Sequence, residues 1–211
     1  MTTLATIKAE IADDLVRSDL TSQIASAITS AIKFYQRQRF YFNETRSETF
    51  ATVVDQADYD SADDTEIPNF LGFDLLHLTY SGSRYPLGKI DQRDMEFYQD
   101  TNAASGMPSL WSYYDETIWL YPIPDSTSYT ITMMGPKKIA APATDSEASN
   151  VWMVDAYELI RCRAKKYIAV HVLRDNEMAQ WMDLAEQDAL RQLVAEGTMK
   201  MGSGMIQATE F

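Results

Sequence analysis

The stretch Leu110-Trp111-Ser112-Tyr113-Tyr114-Asp115-Glu116-Thr117-Ile118-Trp119-Leu120-Tyr121 decides the fold class. Two arms of aromatic and β-branched residues flank the polar pair Asp115-Glu116, which predicts a β-hairpin with that pair as its turn. Pro122-Ile123-Pro124-Asp125 breaks the second arm, and Tyr129-Thr130-Ile131-Thr132-Met133-Met134 predicts another strand ending at Gly135-Pro136. Upstream, Phe73 to Tyr80 reads as a strand that turns at Ser81-Gly82-Ser83 into Arg84-Tyr85-Pro86-Leu87, a further hairpin. Asp91 is placed to cap a short helix over 92–99, and 102–108 reads as a connection. Period-two alternation predicts a strand from Glu44 to Val54, with Thr45, Ser47, Thr49 and Ala51 on one face. A polar, acidic interlude follows over 55–66, then a turn from Ile67-Pro68 to Gly72.

The period changes to helical on both sides of this β-rich block. Leu4, Ile7, Ile11 and Leu15 predict a helix capped by Thr2 or Thr3, ending near Arg17-Ser18. Ile24, Ile28, Ala31, Ile32 and Tyr35 predict a second helix from Thr21, with Phe40-Tyr41-Phe42 packing after it. After a small, proline-containing linker over 140–150, a long helix is expected from Val151, capped by Asn150 or Ser149, with Val154, Tyr157, Ile160, Ala164, Tyr167 and Ile168 down one side. Arg174-Asp175-Asn176 marks a break, and Met178, Trp181, Met182, Ala185, Ala189 and Leu193 predict a last helix stopping at Gly197. The expected class is therefore α+β: residues 1–43 are N-terminal helices of a bundle, 44–150 an inserted antiparallel β-rich module, 151–197 C-terminal helices of the same bundle, and 198–211 an extended tail.

The 211 residues carry 18 Lys+Arg against 31 Asp+Glu, a net charge of -13. Its distribution is uneven, with an excess of +1 over 1–43, -12 over 44–150 and -2 over 151–211. Sequence-specific duplex binding is disfavoured, because phosphates are repelled by such a field. Charges at Lys8, Glu10, Asp13, Asp14, Arg17 and Asp19 interrupt any signal-peptide core, so a soluble chain without a cleaved leader or membrane span is expected.

Chemistry-bearing patterns are sparse. Cys162 falls in a helical apolar pattern and reads as a buried thiol; His77 and His171 have no metal-ligand spacing, and no phosphate loop or nucleophile elbow is present. No cofactor, metal or catalytic residue is assigned. The adjacent carboxylates Asp13-Asp14, Asp63-Asp64 and Asp115-Glu116 read as solvated surface, the last as a turn. Two basic clusters remain, Lys33, Arg37 and Arg39, and Arg161, Arg163, Lys165 and Lys166, either of which could touch nucleic acid or an acidic partner surface; the helix dipole is enough to explain the first, Glu158 and Arg161 are spaced to pair in the second, and the second is the candidate for intersubunit or partner contact.

Met107-Pro108 leading into Trp111, the run Thr117 to Asp125 with its Pro-x-Pro-Asp, and the strand from Tyr129 to Met134 resemble the head-to-tail adaptor (connector) proteins of tailed bacteriophages, as do the opening helices and Glu48-Thr49-Phe50 followed by Tyr59. The resemblance implies a structural virion protein at the neck between capsid and tail, assembled in the host cytoplasm. It implies a homo-oligomeric ring, typically twelve-membered, beneath the portal protein, offering a platform to a tail or nozzle protein. Genomic DNA would pass without specific binding; the acidic β-module would be either an outward tail-docking face or part of the channel lining, where an acidic lumen would repel DNA. The portal-docking segment maps onto Thr198–Phe211, with Met199, Met201, Met205, Ile206 and Phe211 as apolar contacts. Trp152, Tyr157 and Trp181 are candidate anchors between subunits. Two rival readings are a phage-associated muramidase using carboxylates among Glu10, Asp13 and Glu44, and a carbohydrate-binding module presenting Trp111, Tyr113 and Trp119 to solvent.

Overall fold

In the computed structural model, residues 2–101 and 103–201 are described. The chain is α+β and divides into two compact units, residues 1–42 with 139–211, and residues 43–138.

The helical unit opens with α1 (Leu4–Asp14), whose N-terminus is closed by a reciprocal box: Thr6 N–H donates to Thr3 Oγ1 at 3.2 Å and Thr3 N–H reaches Thr6 Oγ1. The helix ends at Leu15, before Val16 turns left-handed. Next comes α2 (Thr21–Tyr35), which buries Ile24, Ile28, Ala31, Ile32 and Tyr35, as its spacing predicts. Its partners are α5 (Tyr157–Ile168) and α6 (Asn176–Met201), and Trp152 sits fully buried in the same core, edge-on to the stacked rings of Phe40 and Phe42.

Four expectations are corrected here. The long helix from Val151 is broken: α4 (Val151–Val154) stops at Asp155-Ala156 before α5 begins, and α5 loosens into a π-helical turn over Ala169–Leu173 ahead of left-handed Arg174. The face actually buried runs through Trp152, Met153, Ala156, Leu159, Ile160, Ala164 and Ile168, so Val154 and Tyr167 point outward. Trp152 is a core residue rather than a surface anchor, its indole N–H donating to the Ile139 carbonyl at 3.1 Å. The last helix passes through Gly197 to Met201; Gly197 is buried within it, and the final turn is held by Lys200 pairing with Glu196 and Thr198 Oγ1 donating to Val194 O at 2.9 Å. Residues 198–201 are thus helical, and Met205, Ile206 and Phe211 lie outside the described residues.

The β unit holds two four-stranded sheets. In the first, β1 (Glu44–Ala51), β8 (Thr130–Pro136), β3 (Leu75–Tyr80) and β4 (Ser83–Pro86) lie in that order, all antiparallel. In the second, β2 (Asp58–Tyr59), β7 (Thr117–Tyr121), β6 (Leu110–Tyr114) and β5 (Gly88–Lys89) do, with β5 parallel to β6. Both predicted hairpins form. Asp115 and Glu116 have φ of 52° and 57°, Ser81 and Gly82 φ of 49° and 76°, the two-residue left-handed turns that match strand twist. The acidic interlude contributes β2, whose Tyr59 is fully buried. Residues of both sheets, among them Phe50, Leu76, Leu78, Trp111, Ile118, Leu120, Ile131 and Met133, form one core. The second sheet also carries α3 (Gln92–Thr101), which buries Met95 and is begun by Asp91 Oδ1 accepting from Arg93 N–H at 2.9 Å.

The two ends of this unit are tied together, since Lys137 N–H donates to the Asn43 carbonyl at 2.8 Å. At the same corner Lys137 Nζ bridges Glu48 and Glu66, both at 2.7 Å. Gly135 is required where it stands: a Cβ there would meet the Gly72 carbonyl oxygen at 2.3 Å. Gly135→Ala should therefore cost about 3 kcal/mol of stability, read from the urea midpoint, because the obstacle is backbone and cannot rotate away.

Candidate interaction surface

The cations singled out on α5 are not free. Arg161 pairs with Asp14 at 2.5 Å, Glu158 at 3.3 Å and Glu10 at 3.9 Å, and Lys165 reaches Asp14 at 3.0 Å. These contacts join α5 to α1. Burial works against the Asp14 charge, yet hydrogen bonds from Arg161 and Lys165 outweigh it and hold the carboxyl below its ordinary range.

On the other side Arg163 and Lys166 meet Glu186 of α6, each at 2.9 Å, and Lys166 also binds Asp183. Tyr35 of α2 donates its hydroxyl to the same Glu186 carboxylate at 2.5 Å. Glu186 is only 4% exposed, so three helices converge on one buried charge. Burial pushes its carboxyl up, but the donors from Tyr35, Lys166 and Arg163 prevail and the pKa falls. Burial and the adjacent carboxylate raise the Tyr35 phenol, which stays a donor. Sequence reasoning missed Glu186. Its signal was an acid within the apolar stripe, four residues after Met182 and seven before Leu193.

Around this cluster the helical unit shows apolar side chains to solvent. Arg163 lies over the Phe34 ring at 3.7 Å, and Phe34 is itself 46% exposed. Tyr167 of α5 and Val170 of the π-helical turn continue that face, and Trp181 (62%) and Leu184 (55%) stand out from α6. Of the three proposed anchors, Trp181 is exposed, Tyr157 half-buried and Trp152 enclosed. Of the tail residues, Met199 is 82% exposed. A groove of about 290 Å³ between α4, the start of α5 and α6 is floored by Leu159 and Leu193 and edged by Asp155, Glu158 and Glu196.

The remaining candidates fall into structural places. Cys162 is buried, and burial raises its thiol pKa. Asp60, Asp63 and Asp64 accept backbone N–H bonds inside their own turn, from Ala62 at 2.7 Å, Asp60 at 3.1 Å and Glu66 at 2.8 Å. Among the described residues no group of three or more His, Cys, Asp or Glu side chains is placed to hold a metal ion, and no helix is long and apolar enough to cross a membrane. Glu10 and Asp13 stand on α1 and Glu44 on β1 of the other unit. Trp111 is 1% exposed and Tyr113 and Trp119 are half-buried, so those three do not make the open aromatic platform a saccharide would stack on.

Glu186→Gln should lower stability by about 2 kcal/mol at pH 7, leaving Arg163 and Lys166 without their shared counter-charge. Because the folded pKa of Glu186 is depressed, its stabilisation is complete above the ordinary value of 4.5 and is lost as pH falls through the folded value. The wild-type midpoint should thus drop more steeply than the variant's between pH 5 and 3 in urea titrations.

Comparison with known proteins gives a family. No curated protein matches the chain. The family model described as SU10 adaptor protein matches residues 2–207, which takes in most of both units and the six α-helices among the described residues. With a match over nearly its whole length, the chain belongs to the SU10 adaptor protein family.

Proposed function

We propose that this chain is a structural virion protein, a head-to-tail adaptor that assembles as a twelve-membered ring beneath the portal and joins the DNA-filled capsid to the tail. Membership of the adaptor family over residues 2–207 is the observation that carries this reading. The exposed apolar faces of α2, α5 and α6 support it, because side chains such as Trp181 and Leu184 gain most when another protein covers them. In this reading no catalytic group is needed, and the adaptor sits at the virion neck.

The end of α6 and the residues after it, with Met199, Met201, Met205, Ile206 and Phe211, are assigned to the portal. Methionine-bearing segments adapt to a groove they did not shape. The α5 cations would work from within: Arg161 and Lys165 fix α1, while Arg163, bonded to Glu186 through one terminal nitrogen, keeps further donors for a neighbour. The β unit, with 16 carboxylates against six cations, would repel passing DNA rather than hold it.

Native mass spectrometry of the chain mixed with its portal tests the proposal. The expected result is a particle heavier than portal by about twelve copies; unchanged portal mass would overturn it. Removal of residues 202–211 should weaken portal capture, read by co-sedimentation. Trp181→Asp should reduce assembly about 10-fold or more with the monomer's thermal midpoint nearly unchanged, since the side chain is already in water in the free subunit.

A further inference from the structure

The first sheet ends in two different edges. Among the described residues no strand pairs with the outer side of β1 or of β4. Which backbone groups face outward follows from two hydrogen bonds just beyond the strands. Thr52 N–H donates to the Tyr129 carbonyl at 3.0 Å, so Thr52, Phe50 and Glu48 address β8 while Thr49 and Ala51 point away. Leu87 N–H donates to the Leu76 carbonyl at 3.0 Å, so Tyr85 and Ser83 address β3 while Arg84 and Pro86 point away. Thr49, Ala51, Arg84 and Pro86 are all exposed. The next residue along, Val53, already gives its N–H to the Tyr59 hydroxyl at 3.0 Å.

We propose that β4 of one copy pairs antiparallel with β1 of the next, carrying the sheet from subunit to subunit. The inference rests on the ring reading and deepens it by naming a joint. Strand polarity favours it: four alternating strands leave β1 and β4 running in opposite directions, so a rotation that preserves strand direction sets β4 of the next copy antiparallel to β1. Because the two edges differ, the contact is head-to-tail, the kind that closes into rings.

One register satisfies both edges. With Ala51 opposite Arg84 and Thr49 opposite Pro86 of the neighbouring copy, Ala51 and Arg84 exchange two hydrogen bonds and Thr49 N–H donates to the Pro86 carbonyl. Every outward N–H beyond the bulge of β1, between Thr45 and Glu48, is then used, and Pro86 stands where it has none to give. The same register sets Tyr85, 39% exposed, opposite Phe50, a cross-strand aromatic pair. β4 carries Arg84 and no acid, so it brings no carboxylate against the acidic residues of β1.

The double variant Ala51→Cys with Arg84→Cys tests the joint directly. Within one copy the two positions are three strand spacings apart, about 14 Å, beyond disulfide reach. Opposite each other across an antiparallel pair they lie about 5.5 Å apart. Oxidation of the full-length protein assembled on portal should give a covalent ladder extending past dimer on a non-reducing gel. Each single variant should give none, and Cys162 is buried away from the reaction. Thr49→Pro and Ala51→Pro delete outward N–H groups and spare the β1–β8 ladder, so they should keep the monomer's melting temperature and lower assembly at least about 10-fold. Rings that form without a ladder, or proline variants that assemble like wild type, would overturn the strand pairing and leave the adaptor reading standing. A wild-type chain that forms no ring on portal would overturn both.

Discussion

Glu186 is a carboxylate in a place where water cannot serve it, and the helical unit is arranged around that constraint. Each of its donors comes from elsewhere in the chain, Tyr35 from α2 and Arg163 and Lys166 from α5. A purely apolar contact among these helices would tolerate sliding by a turn. A buried charge with three fixed donors does not, because any slip leaves it uncompensated. The outer pairs of Arg161 and Lys165 with Asp14 extend the same logic to α1, with less energy since water reaches them. The charges of α5 thus divide their work between orienting neighbours and capping an amphipathic face, and the apolar side chains around them stay outward.

The β unit is organised differently. Its core is aromatic and aliphatic, drawn from two sheets. Part of the acidity is spent on backbone: Asp60, Asp63, Asp64 and Asp91 accept N–H bonds that a loop or helix start would leave unmet. Acidic residues used in this way give a negative surface without requiring any ligand.

How much was legible from sequence depended on how local the cause was. The hairpin at Asp115-Glu116 was readable because turn and arms carry the same message within twelve residues, and the α+β class followed from such segments. The faces of α1 and α2 were readable from spacing alone. The break at Asp155-Ala156 was not, because the face that α5 buries is chosen by α1, α2 and α6, and Val154 and Tyr167 fit a helical stripe that the fold leaves outside. Gly197 looked like a stop because glycine usually is one; in place, it lies buried inside α6, which runs on to Met201. The cations of α5 were visible as a cluster, but a solvated run and a set of interhelical rivets have the same composition. Their carboxylates lie up to 151 residues away along the chain.

The bond between Asn43 and Lys137 means that the chain enters and leaves the β unit at one point. A segment whose two ends already meet imposes no stretch on whatever carries it, so the helical unit sees an insertion of nearly zero span. Such a layout lets a lineage exchange the whole β cassette, or lengthen its loops, while the helices keep the same joints. Length gained or lost in its loops then leaves the packing of α1, α2, α5 and α6 as it is.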